Sequence, residues 1–130
     1  MPQTALGFLL QNLREERGLS LRELALLADI DHAYIYRLET GAKESPSEEV
    51  LSKLIRALKA PRREADMLRY LTAHSEAELA LVAYVRQDPT VTYQEFAATA
   101  STAYRGTVRP DYATRIARVR RILSEEGDSG

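Results

Sequence analysis

Residues 20–40, SLRELALLADIDHAYIYRLET, constrain the fold more than any other stretch of the chain. They predict two short helices joined by a tight turn. Leu21, Leu24, Ala25 and Ala28 recur at helical spacing, one residue after Ser20. The Ser20 hydroxyl is placed to cap the open N–H groups of the first turn, and Glu23, three residues on, completes a capping box. The periodicity breaks at Asp29-Ile30-Asp31. Asp31 is a good N-cap for the second helix, in which Ile35 and Leu38 face inward at i, i+3. His32, Ala33, Tyr36 and Arg37 are left for the outer face, with Tyr34 at its edge. A short helix held out in this way, with polar side chains at its N-terminal end, has the size to enter the major groove of duplex DNA.

The rest of the chain reads as helices around this pair. A first helix over residues 4–17 carries Leu6, Leu9, Leu10, Leu13 and Arg17 near one stripe, with Phe8 and Arg14 beside it, and Gly18 ends it. Gly41 closes the third helix. The polar loop 42–46 leads to Ser47, the cap of a fourth helix with Val50, Leu51, Leu54, Ile55 and Leu58 inward. Pro61 opens a fifth helix that runs to Ala73. His74-Ser75 is the best internal boundary, with Ser75 capping a sixth helix over 76–86 that Asp88-Pro89 stops. Thr92 and Glu95 frame a seventh over 92–104, and RGTVRP (105–110) is a basic loop. In the last helix, 111–124, Tyr112, Ile116 and Val119 form an apolar stripe with Ile122 or Leu123, and Arg115, Arg118 and Arg121 line another face. No strand is called for. The expectation is an all-α chain, with a helix-turn-helix domain over 1–73 and a small helical domain over 74–130.

Composition narrows the function. At 130 residues the chain is one domain or two very small ones. It has no cysteine, and its two histidines, His32 and His74, lie far apart. We therefore expect neither a metal nor a cofactor. There is no Gly-rich phosphate loop and no histidine with an acid partner at motif spacing, so an enzyme is not expected. No apolar run approaches the ~20 residues that span a bilayer, and MPQTALGFLL lacks the basic start of a secretory signal. The reading is a soluble cytoplasmic protein with no membrane partner. Net charge is −1, and residues 1–74 carry eleven Lys/Arg against eleven Asp/Glu. Binding to nucleic acid must therefore rest on charge distribution. Glu15, Glu16, Glu23, Glu48 and Glu49 must sit away from the ligand, and Arg22, Arg37 and Lys43 near it.

Residues 6–58 resemble the Cro/C1-type, or XRE-like, helix-turn-helix domain of phage and bacterial repressors. The resemblance is carried by LREERGLS (13–20), REL-A (22–25), YIYRLETG (34–41) and PSEEVLSKLIRAL (46–58). It implies a five-helix domain that binds a double-stranded DNA operator, with His32, Ala33 and Arg37 at the positions that touch base edges. Arg37 can pair with guanine or only meet a phosphate or an ion-pair partner. Tyr36, like Tyr34, can bond a phosphate through its hydroxyl or simply pack. Ser20 and Arg22 fall where the family grips phosphate, and Thr40 and Lys43 match its other phosphate-contacting segment. The family's usual glutamine is replaced by Leu21. Arg14 and Glu39 match a salt bridge between the first and third helices.

Such repressors usually dimerise to read two half-sites. The runs LVAYVRQDPT (81–90), YRGTVRP (104–110) and RRIL (120–123) are similar to radiation- and desiccation-response repressors of the DdrO type. That similarity implies a homodimer formed through residues 75–124, with Tyr112, Ile116 and Val119 at the interface. It also implies inactivation by a regulatory metallopeptidase cutting near the Tyr104–Arg105 bond, and control of a stress or DNA-damage regulon or of a mobile element. The competing class is an antitoxin or adaptor that keeps the fold and acts through a protein partner; the near-neutral charge of the N-terminal part favours it.

Overall fold

The computed structural model describes residues 3–42, 45–102 and 111–128. Eight helices and no strand occur among them: α1 (Ala5–Glu16), α2 (Leu21–Ala28), α3 (His32–Thr40), α4 (Glu48–Leu58), α5 (Arg62–Ala73), α6 (Leu79–Arg86), α7 (Tyr93–Ser101) and α8 (Tyr112–Asp128).

Local chemistry sets most of the ends. Thr4 caps α1 by accepting from the Gly7 N–H at 2.9 Å. Ser20 and Glu23 form a reciprocal capping box on α2, at 2.9 and 3.1 Å. Asp31 accepts from the Ala33 N–H at the start of α3, Ser47 from the Val50 N–H at the start of α4, and Thr92 from the Glu95 N–H at the start of α7. Each cap satisfies one of the N–H groups a helix start leaves open. The turn between α2 and α3 closes through Asp29, which adopts the left-handed conformation (φ 57°), a state aspartate tolerates better than most residues.

Three ends differ from expectation, one of them the end of α8, which runs on to Asp128 and not to 124. Residues 75–77 form a turn and α6 begins only at Leu79, with no side-chain cap. The Ala77 N–H turns back to the His74 carbonyl, and the Glu78 carboxylate is taken by the Tyr112 hydroxyl. At the other end α7 stops at Ser101, because Thr102 is extended and its hydroxyl donates to the Ala98 carbonyl.

α1 is the hub, packing against α3, α5 and α6. Leu9 and Leu10 are fully buried, each contributing about 1.5–3 kcal/mol of apolar burial. One apolar core runs from α1 through Leu24, Ile35, Leu38, Leu54 and Leu68, then on through Val82, Val85, Phe96 and Ile116. α1 meets α3 closely at Gly7, where a Cβ would stand 2.5 Å from the Glu39 carbonyl oxygen and 2.6 Å from that of Leu38. An L side chain there would push the two helices apart.

Two buried carboxylates tie the later helices to this frame. Glu64 on α5 accepts from Arg63 at 2.8 Å and from Arg86 of α6 at 2.6 Å. Arg63 also donates to the Asp88 and Val91 carbonyls, each at 2.9 Å, and so holds the α6–α7 loop. Glu95 of α7 takes both nitrogens of a bidentate pair from Arg120 of α8, at 2.8 and 3.1 Å. That guanidinium, with the capping N–H of Thr92, holds the Glu95 carboxyl below the usual range.

Candidate nucleic-acid interface

The face of interest is built on α3. Ile35, Leu38 and Glu39 are its buried side. His32, Tyr36 and Arg37 are exposed on the other, and Ala33 and Thr40 are half-buried. The amphipathic split follows from the helical period, since the inward residues fall at i, i+3 and i+4. Arg37 lies with its guanidinium carbon 6.0 Å from the Tyr34 ring centroid, so its stem is braced while its donors stay in solvent.

The structure brings Arg22 and His32 together. Both line a groove of about 490 Å³ between α2 and α3, with Leu26, Ile30, Asp29 and Asp31. Tyr36 and Thr40 line a second groove, of about 290 Å³, with Leu21, Gln3 and Gln11. Gln3 and Gln11 were not singled out from sequence; they sit here because the start of α1 crosses the end of α3, where the Gln3 amide donates to the Glu39 carbonyl at 3.0 Å. The Ser20 hydroxyl accepts from the Glu23 N–H in the capping box, which leaves its proton for an outside oxygen. The Thr40 hydroxyl donates to the Tyr36 carbonyl at 2.9 Å and would have to turn to meet a phosphate. Lys43 lies outside the described residues.

The bracing of α3 comes from α1. Arg14 meets Glu39 through two nitrogens, at 2.7 and 2.9 Å, and donates a third bond to the Leu19 carbonyl. The hydrogen bonds it donates to Glu39 push the Arg14 guanidinium above its ordinary value. This fork–fork geometry fixes direction as well as distance, so the last turn of α3 cannot roll on α1 without breaking it.

The acids expected to stay clear of α3 have partners elsewhere. Glu16 pairs with Arg86, Glu48 with Arg69 at 3.6 Å, and Glu49 with Lys53 at 3.8 Å. Glu15 accepts from Gln11, and Glu23 is committed to its cap. Asp29 and Asp31, which are not among those acids, stand beside Arg22 and His32 in the first groove.

The C-terminal residues fall differently. Ile116 and Val119 are 4% and 8% exposed, on an α8 that packs against α7 of the same chain. The Tyr112 ring lies tilted against Tyr84, with centroids 5.9 Å apart, and its hydroxyl donates to Glu78. Their apolar stripe is thus used inside the chain, and the outer side of α8 offers Ile122 with Arg118 and Arg121. Arg115 is folded under, donating to the Thr99 carbonyl at 3.2 Å. Tyr104 and Arg105 lie outside the described residues.

Residues 5–68 match a family model described as a helix-turn-helix domain. No curated protein and no solved structure matches the chain. No described helix is long and apolar enough to cross a membrane. The N-terminal part of the chain is a helix-turn-helix domain, and this supports a DNA-binding regulator.

Proposed function

We propose that the chain is a sequence-specific transcriptional regulator of the Cro/C1 kind, a cytoplasmic, non-enzymatic repressor that binds its operator as a homodimer. The observation that carries this reading is α3 itself: an exposed His32–Tyr36–Arg37 face on a helix clamped from behind by Arg14 and Glu39. In this reading α3 enters the major groove, with His32, Ala33 and Arg37 at base edges. Ser20, Arg22, Tyr36, Thr40 and Lys43 hold the flanking phosphates, which position the domain without reading sequence. The regulon is one of stress or DNA damage, or that of a mobile element. A cut at Tyr104–Arg105 by a metallopeptidase would break the covalent link between α7 and α8 and loosen a dimer formed through the outer face of α8.

Sequencing the DNA fragments retained by the purified chain tests the reading. A single enriched motif is expected. His32→Ala and Arg37→Ala should each change the preferred bases, at about 1–3 kcal/mol for a true base contact. An Arg37→Ala protein that loses affinity equally for all sequences would make Arg37 a phosphate contact only.

For the dimer, Ile122 is the residue to change, because it is 53% exposed and its loss leaves the core intact. Ile122→Asp should shift sedimentation from dimer to monomer and weaken operator binding by roughly a hundredfold, the advantage of linked half-sites. Unchanged sedimentation would take the outer face of α8 out of the interface. The adaptor reading keeps one observation in its favour, the balance of charge in residues 1–74.

A further inference from the structure

α2 presents two leucines to solvent, Leu26 at 83% and Leu27 at 58% exposed. Leu24 and Ala28 already fill its core side. Leu27 hangs over a groove of about 330 Å³ on the side of α2 away from α3, walled by the end of α1 and by α4. Four cations surround it: Arg17, Lys53, Arg56 and Lys59. Among the described residues no carboxylate lines the groove, and no residue of α3 does.

Elsewhere this chain pairs arginines with buried carboxylates, as Arg14, Arg63, Arg86 and Arg120 show. Here it does not. Among the described residues Arg17, Arg56 and Lys59 have no ion-pair partner, and Lys53 has only the exposed Glu49, one turn back on its own helix. Arg17 is pinned at the rim by donating to the Ala57 carbonyl. Lys59 is held in the left-handed conformation (φ 50°), which costs a residue with a Cβ about 1 kcal/mol. Four like charges gathered round an exposed aliphatic side chain disfavour the isolated protein and favour an anionic visitor.

We propose that this groove docks an acidic segment of a partner protein that inserts one aliphatic side chain beside Leu27. A second stretch of DNA would neutralise the cations but would leave Leu27 uncovered, because a phosphate track carries no apolar group to meet it. The surface is separate from α3, so partner and operator can be bound together. The contact is a small apolar anchor inside a charged rim, the arrangement of an interface centred on one buried side chain.

The probe is a fluorescein-labelled peptide of about fifteen residues, long enough to form a helix on binding, with glutamate on one face and a single leucine on the other. Its anisotropy is titrated against the full chain at low salt. Saturable binding is expected, with none to the peptide in which glutamine replaces glutamate. Arg56→Glu with Lys59→Glu should weaken it at least tenfold and Leu27→Ser roughly fivefold, about 1 kcal/mol for the lost apolar contact. Both variants alter exposed positions and should leave duplex DNA binding and sedimentation unchanged. Absence of peptide binding, or equal binding by the charge-reversed variant, overturns the proposal. A charge-reversed variant that instead loses DNA affinity, or becomes monomeric, also overturns it and assigns the groove to phosphate or to a second copy.

Discussion

Alanine in place of Glu64 should cost about 3–5 kcal/mol of folding stability. Glu64 is 3% exposed and is the shared acceptor for Arg63 and Arg86. Removing it leaves Arg63 only its carbonyl acceptors and Arg86 only the exposed Glu16, at a site where the Arg86 Nε already has no partner. Burial alone would raise the Glu64 carboxyl, but the two arginine hydrogen bonds outweigh it and hold the group below its ordinary value. Folding therefore favours the deprotonated form. Its contribution is complete above the unfolded value of about 4.3 and is lost as pH falls through the lower folded value. Urea titrations at neutral pH and near pH 3 read both effects. Glu64→Gln should be much less stable than the parent at neutral pH, and the gap should close in acid. A gap independent of pH would mean that the charge of Glu64 does not support the fold.

The second large effect lies behind the DNA-facing helix. Arg14→Ala leaves a buried Glu39 carboxylate unpaired, and Glu39→Ala leaves a guanidinium facing α3 with only the Leu19 carbonyl. Each should cost about 3 kcal/mol. The double variant should cost less than the sum, with a coupling of about 1–3 kcal/mol. Because the pair locks the end of α3 onto α1, the same variants should weaken DNA binding more than their stability loss explains. Additive losses in chemical denaturation would show that the two residues do not act as a pair.

These cases mark where the sequence can be read and where it cannot. The capping residues Ser20, Asp31, Ser47 and Thr92 were legible because a cap acts over three residues, and α2 and α3 follow from them. The outward set on α3 was legible from its period. Arg14 and Glu39 border apolar stripes, and only the family resemblance implies that they meet across 25 residues, as they do. Glu64, Arg63 and Arg86 look like three solvated charges in sequence, since their spacing carries no helical or motif signal. Gly7 gave one local hint, a glycine inside a helical pattern, which the structure explains by the close approach of α3. The stripe of Tyr112, Ile116 and Val119 was visible as apolar, and periodicity cannot say whether such a stripe faces its own chain or a second copy. The start of α6 was misplaced because Ser75 has the chemistry of a cap, while Glu78 is held by Tyr112 from far along the chain.

The central claim is that α3 and the start of α2 bind duplex DNA. Its most direct measurement is the affinity of the full chain for a duplex of its enriched sequence, titrated from about 50 to 200 mM salt. If a few cations and helix N-termini grip phosphates, log K should fall linearly with log salt, with a slope on the order of −3 to −5 per protomer, close to −0.9 per phosphate. Arg22→Ala should flatten that slope by about one. No duplex binding at the lowest salt would contradict the account and leave the fold to serve a protein partner.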